Sequence, residues 1–179
     1  MPALITLQIA DNLISTIDLT GCTNLREFDC AYTQLTELDL SSVPNLVLLG
    51  LSATKISTLD LSANTSLTTI IGNNTYLTGL DLTGLVALAN LELSSNEITT
   101  VDVSPAVGLT TLHLTACLLT SDAVNHILAA LVANAQLGGI CALTGQTPAA
   151  PPTTGPPDGI AAKAALKAED PAWTVTTDT

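Results

Sequence analysis

Aliphatic residues recur along this chain at a constant step of 21 residues. Each repeat begins with a leucine, taken as position zero of a coil, and has further apolar residues three and five positions later, so that apolar and polar residues alternate as on a half-buried strand. A fixed period of this length predicts a solenoid of stacked coils, each burying its apolar edge against its neighbours. The leucines at position zero are Leu4, Leu25, Leu46, Leu67, Leu88 and Leu109.

The second half of each coil carries an equally regular pattern. It contains an aspartate between two aliphatic residues, as in Leu38-Asp39-Leu40 and Leu59-Asp60-Leu61, and again alternates with period two. This predicts a second short strand or an extended segment on the back of the coil, because 21 residues leave no room for a full helix. We therefore expect two narrow parallel sheets, with strands of successive coils about 4.8 Å apart.

The period breaks after Leu119, which divides the chain into six repeats over 1–119 and an α/β C-terminal cap over 120–179. Ser121-Asp122 is typical of a helix start. The next match to the repeat begins at Leu137, a step of 28 from Leu109, and makes Ile140 and Ala142 the inward pair of a strand. The elements predicted for the cap are helix 121–135, strand 139–143, a Pro/Gly-rich loop at 148–159, helix 160–168 and strand 172–176, with Trp173 and Val175 pointing inward.

The coils share the pattern L-x-x-L-x-L-x-x-N/C, and through it the chain resembles the leucine-rich repeat family. The fold class expected is a repeat solenoid, mainly β with parallel sheets from stacked coils. The short coil with L-D-L-S/T resembles repeats of bacterial and phage proteins, and Gly145-Gln146-Thr147-Pro148 is similar to part of a cap in that group. Thr replaces Asn at position eight in three coils and Cys in one; a hydroxyl or amide there can bond the backbone inside the turn. The resemblance implies contact with a protein or glycan, no cofactor and no catalysis.

Charge and composition exclude several partners. The net charge is −12, and the basic residues are Arg26, Lys55, Lys163 and Lys167. Nucleic acids and anionic membranes both require clustered positive charge, so neither is expected as a partner. The sequence contains no apolar run long enough to span a membrane and no signal-peptide pattern at its start. Aromatic residues make up 2% of the chain, which fits a core of repeated aliphatic layers.

The first coil begins at residue 4 without a helix or hairpin that could cover it. We expect its open side to expose Leu4, Leu7 and Ile9 as an assembly edge. An uncovered strand edge invites pairing with another chain. This predicts attachment to a preceding domain, to a partner or to a second copy of the chain.

The aspartates recur in one row, termed here the aspartate ladder: Asp18, Asp39, Asp60, Asp81 and Asp102. Like charges at strand spacing repel one another, so the row must be solvated, hydrogen-bonded or neutralised. The favoured interpretation is a solubilising row on an exposed face. The alternative is weak calcium binding between Asp39, Asp60 and Asp81, as in a cation-stabilised extracellular adhesin, although the sequence lacks a D-x-D-x-D-G loop.

The outward residues of the first strand in each coil form a second row. At position four we place Gln8, Asp29, Gly50, Ile71, Glu92, His113, Cys141 and Thr174. Glu92, His113 and Cys141 are consecutive in this row, which leaves open a Cys-His-Glu enzyme; the favoured alternative is a cross-strand Glu–His contact. The cysteines lack CxxC spacing and are interpreted as small apolar residues, with a bridge between Cys22 and Cys30 left open.

The same strand face is the expected binding surface. Leu48 and Ile71 are predicted to form a small exposed apolar patch next to Tyr32 and Tyr76. The candidate binding residues are Tyr32, Leu48, Gly50, Ile71, Asn73, Asn90, Glu92 and His113. The sequence thus predicts a non-enzymatic protein-binding or assembly module, a structural or adhesion component of a phage virion or bacterial surface.

Overall fold

The computed structural model describes residues 4–134, 139–145 and 173–177. Its strands form one parallel sheet whose spatial order follows the chain order. Helix α1 spans Ser121–Ala133, between the sixth and seventh strands. The strands are β1 Thr6–Gln8, β2 Glu27–Asp29, β3 Leu48–Gly50, β4 Thr69–Ile71, β5 Asn90–Glu92, β6 Thr111–His113, β7 Gly139–Leu143 and β8 Trp173–Thr177.

Strands β1 to β6 are in register at the step predicted from the sequence. Leu7 pairs with Phe28, Leu49 with Ile70, and Leu91 with Leu112. From β2 to β6, the residues at position three are fully buried. The inward side chains therefore stack from coil to coil into one continuous aliphatic core, as a solenoid requires.

The back of the coils differs from the prediction of a second sheet, which is wrong for the part of the chain that the structure describes. Successive coils there share isolated bonds, such as the amide of Thr78 to the carbonyl of Ser57 at 3.4 Å. Two residues after each ladder aspartate, the amide donates to that aspartate's own Oδ1, as Ser62 does to Asp60 at 2.9 Å. An amide bound within its own coil cannot extend a ladder to the next, so the back stays extended without becoming a sheet.

The turn after each front strand has a left-handed residue at position seven in all six coils; Ala53, for example, has φ 55°. The next side chain closes this turn. Thr54 Oγ1 donates to the carbonyl of Leu51 at 2.8 Å, and Asn96 Nδ2 donates to the carbonyls of Leu93 and Gly72, both at 2.8 Å. The predicted role of a hydroxyl or amide at position eight is confirmed.

Helix α1 replaces the back segment of the sixth coil. Thr120 caps it by accepting from the amide of Ala123 at 3.1 Å, and Asp122 lies in the first turn, where negative charge favours a helix N-terminus. The helix buries Ile127, Leu128 and Leu131 against the core.

Beyond the helix, the predicted strand register is wrong by one residue. Cys141 pairs with Leu112, so that Cys141 and Leu143 point inward and are buried, whereas Ile140 is 48% exposed. The step from β6 to β7 is therefore 29 residues, from 112 to 141, and not 28. In β8, Val175 lies opposite Cys141. The predicted loop 148–159 and helix 160–168 lie outside the described residues.

Candidate functional site

Strands β1 to β7 form the front sheet, and its outward face brings most of the predicted binding residues together. Two neighbouring rows cross strands β3, β4 and β5: Leu48, Thr69 and Asn90 in one row, and Gly50, Ile71 and Glu92 in the other. Leu48 and Ile71 retain part of their surface exposed even though the sheet surrounds them. These two side chains, with Gly50, Asn90 and Glu92, are termed the front patch.

The remaining predicted binding residues lie around the front patch. His113 is the register partner of Glu92 on β6, and Asn73 follows β4. Tyr32 and Tyr76 lie in the turns at positions seven and nine, where both are exposed. The tyrosines therefore border the sheet and do not extend the front patch itself.

Asp29 is a member of the site that the sequence prediction left out of the binding set. A Cβ built on Gly50 would lie 2.8 Å from Asp29 Oδ1, so the aspartate side chain covers the space that Gly50 leaves empty. The amide of Ala31 donates to the same Oδ1 at 3.0 Å and holds the carboxylate there. The sequence signal was a carboxylate followed one coil later by a glycine in the same row.

Glu92 is held at the opposite border of the front patch by two amides. Asn90 Nδ2 donates to Glu92 Oε1 at 3.0 Å, and Asn73 Nδ2 donates to Glu92 Oε2 at 3.5 Å. Asn73 is itself oriented, because its Oδ1 accepts from the amide of Ser94 at 2.8 Å. The Glu92 carboxylate is thereby inclined from β5 towards β4, the strand of Ile71.

The proposed Cys-His-Glu relay is wrong. His113 pairs with Ala142, while Cys141 faces the core on the other side of the sheet. Burial raises the pKa of the Cys141 thiol to about 12, so it stays protonated and a poor nucleophile at neutral pH. Cys22 and Cys30 are free thiols, so the bridge left open between them is not formed.

The carboxylates of the aspartate ladder accept local hydrogen bonds. In each of its five members Oδ1 accepts from the amide two residues later, at 2.8–2.9 Å. Hydrogen bonds from the hydroxyl and amide of Thr20 lower the pKa of Asp18, and equivalent bonds lower the pKa of Asp39, Asp60 and Asp81. Across the residues described, no group of three or more His, Cys, Asp or Glu is placed to hold a metal ion.

The first coil is less buried than those that follow it. Leu4, Leu7 and Ile9 are half-buried, whereas the corresponding Phe28 and Cys30 of the second coil are fully buried. All three nevertheless pack against the core. Part of the apolar surface of these three residues is therefore accessible in the residues that the structure describes.

Comparison with solved structures shows which known proteins share this architecture. The functional domain of InlJ from Listeria monocytogenes is 35% identical over 64% of this chain and 26% of its own, with a TM-score of 0.60. An internalin C2 from the same organism is 18% identical and superposes over 98% of this chain and 71% of its own, with a TM-score of 0.75. The chain has the leucine-rich repeat fold, built from short coils. No protein-family model and no curated protein sequence matches it.

A third solved structure, the internalin InlF of Listeria monocytogenes, is 23% identical, with a TM-score of 0.68. It is matched over 71% of this chain and 39% of its own, so this chain spans about two fifths of the InlF structure and a quarter of the InlJ domain. The InlJ domain includes a cysteine ladder. The cysteines here occupy different positions in their coils, so those of the repeats form no such ladder. None of the helices described is long and apolar enough to cross a membrane.

Proposed function

We propose that this leucine-rich repeat chain is a protein-binding module whose partner contacts the front patch. The observation that carries the proposal is the pair Leu48 and Ile71, aliphatic side chains that point away from the core and stay partly exposed. The fold does not need them, because Thr69 and Asn90 occupy equivalent outward positions on the neighbouring strands. Apolar side chains ringed by polar ones are typical of a contact surface.

The setting we propose is a bacterial surface or a phage particle, in which the solenoid is a structural or adhesion component. The similarity to internalins of Listeria monocytogenes supports a bacterial origin for this type of coil. The net charge of −12 supports a protein or a glycan as the partner in preference to nucleic acid.

Site-specific photo-crosslinking in the native cells tests the use of the front sheet. A photoreactive residue at Thr69, between Leu48 and Asn90 in its row, should give a discrete adduct with a partner. The same residue at the exposed Glu37, on the back of the second coil, is the matched control. Leu48→Thr with Ile71→Thr should remove the Thr69 adduct; an adduct that survives, or that forms equally from Glu37, would refute a front-sheet contact.

We propose, in addition, that the first coil is an attachment surface. Its half-buried Leu7 and Ile9 support this, together with the position of β1 at the edge of the sheet in the described residues. The purified chain should form oligomers in sedimentation velocity, and Leu7→Lys with Ile9→Lys should render it monomeric. Leu13→Lys changes a side chain that is 89% exposed and serves as the control. An unmodified chain that sediments as a monomer at high concentration contradicts self-association.

A further inference from the structure

The charges on the front sheet all have one sign in the part of the chain that the structure describes. The outward residues of the described strands include the carboxylates Glu27, Asp29 and Glu92 and no lysine or arginine. The nearest basic residues in sequence, Arg26 and Lys55, lie outside the strands. A partner that approaches the front patch therefore meets carboxylates and no lysine or arginine on these strands, which favours a positively charged ligand.

Two of these carboxylates border Ile71 from opposite sides. Asp29 extends over Gly50 on β3, and Glu92 is inclined from β5 towards Asn73, the residue close to the end of β4. Strands β3 and β5 are two strand spacings apart, about 10 Å, and Ile71 lies on the strand between them. The arrangement is an apolar centre with one anchored negative charge on each side.

Both carboxylates are positioned before any partner arrives. Asp29 Oδ1 is held by the amide of Ala31, and both Glu92 oxygens accept from asparagine side chains. These donors each supply a single bond to a carboxylate oxygen, and a carboxylate oxygen can accept more than one. Both groups therefore retain acceptor capacity for a guanidinium or ammonium, and little side-chain entropy remains to be lost on binding.

We infer that the front patch recognises an extended segment of a partner protein in which one apolar residue lies between two basic residues, each two positions away. This inference rests on the proposed function and specifies its partner. In an extended chain, residues two apart point to the same face, so all three side chains would face the sheet. The apolar side chain packs on Ile71 and Leu48, while the basic side chains reach Asp29 and Glu92.

Defined peptides test the inference by fluorescence anisotropy against the full chain. The probe is a labelled Gly-Arg-Gly-Leu-Gly-Arg-Gly peptide with blocked ends. A neutral peptide has Gln in place of both Arg, and a spacing control places both Arg at one end. The Arg peptide should bind most tightly, each Arg contributing about two- to fivefold in affinity, and the gain should fall at high salt.

Variants of the protein locate the binding. Glu92→Gln should weaken the Arg peptide about two- to fivefold and leave the neutral peptide unchanged, because Gln preserves the shape. Glu37→Gln removes one charge from the back of the solenoid and is the matched control. Leu48→Thr with Ile71→Thr should weaken every peptide about tenfold, whereas Val86→Thr, at an exposed turn, should have no effect.

The outcomes separate this inference from the proposed function. If the neutral and Arg peptides bind equally, and both lose affinity in the Leu48 and Ile71 double variant, basic recognition is overturned while a front-sheet contact stands. If the Arg peptide binds but Glu37→Gln weakens it as much as Glu92→Gln does, the attraction is non-specific and the inference is also overturned. If no peptide binds, the inference fails; the crosslink from Thr69 decides the proposed function independently.

Discussion

The front and back of each coil are built from the same alternation of apolar and polar residues, yet they differ in how their backbones are satisfied. On the front, amides and carbonyls pair between coils in a continuous parallel sheet. On the back, aspartate side chains take up amides within their own coil, and isolated bonds link neighbouring coils. The backbone of the front strands is therefore hydrogen-bonded without help from the outward side chains, whereas each back turn uses an aspartate.

This difference explains where the repeat is constant and where it varies. The back position keeps aspartate in five coils because the turn depends on a side-chain acceptor. The outward front positions range over acidic, aliphatic, amide and glycine residues, because the hydrogen bonds between the strands do not depend on these side chains. Variation confined to one face is what a recognition surface permits without loss of the fold.

The sharpest contrast is between the two sides of the front sheet itself. Leu91→Asp places a carboxylate in the fully buried column between Ile70 and Leu112, and should lower the free energy of unfolding by several kcal/mol, about 3–5. The outward control Thr111→Asp, on the neighbouring strand β6, should change it by less than about 0.5 kcal/mol. Urea denaturation followed by circular dichroism measures both; equal effects would break the distinction between the two sides.

Asn64 tests whether the back turns require polar groups in the core. It is fully buried in a column that holds Val43 and Leu85 in the neighbouring coils, and its Oδ1 has no hydrogen-bond partner. Its Nδ2 donates to the carbonyls of Leu40 and Val43, which keep other backbone donors, the amides of Val43 and Leu46. Asn64→Leu should therefore stabilise the protein by about 1 kcal/mol, since it removes a buried orphan acceptor.

The same denaturation experiment measures this change. Ser66→Ala, which alters an exposed residue two positions after Asn64, is its control for effects on the local turn. A loss of stability in Asn64→Leu would mean that the two donated bonds outweigh the unpaired Oδ1.

Gly50 tests the link between the fold and the candidate site. Gly50→Ala places a methyl group 2.8 Å from Asp29 Oδ1, which is too close, and should cost about 0.5–1 kcal/mol as the carboxylate moves aside. In an Asp29→Ala background the cost should vanish, because nothing then fills that space. A double-mutant cycle of unfolding free energies measures the coupling, and a coupling of zero would contradict the placement of Asp29 over Gly50.

The smallest expected effect is on the pH dependence of stability, to which the aspartates on the back of the coils contribute. Hydrogen bonds lower the pKa of Asp60 in the folded chain below its ordinary value of 3.8, so the charged form is favoured by folding. This contribution is present above the unfolded pKa and is lost as the pH falls through the folded one. Asp60→Asn should therefore lower the Tm slightly at neutral pH and converge with the unmodified chain in strong acid.

Glu37→Gln removes an exposed carboxylate from the same side of the solenoid and is the control for net charge. Thermal melts from neutral pH into strong acid would follow both variants. A constant Tm difference between Asp60→Asn and the unmodified chain across this range would show that the Asp60 hydrogen bonds do not stabilise the folded state.

The repeating part of the molecule was predictable because each coil repeats the same pattern of apolar and polar residues. The step from Leu49 to Ile70 follows from periodicity alone, since identical coils bury identical positions. The strand register failed at Cys141, where helix α1 interrupts the period and either Ile140 or Cys141 could continue the alternation. There, the path of the chain around the helix selects the buried residue, and no local pattern records that path.

The sequence by itself therefore determined the solenoid, its inward columns and the outward row that contains Ile71, because these depend on periodicity. Tertiary structure decided that the back forms no sheet in the described residues, that Cys141 faces the core, and that Asp29 reaches over Gly50. The physical reason is that burial patterns are local and repeat, whereas competition for a backbone amide, or for the space beside a glycine, is settled between residues that only the folded chain brings together.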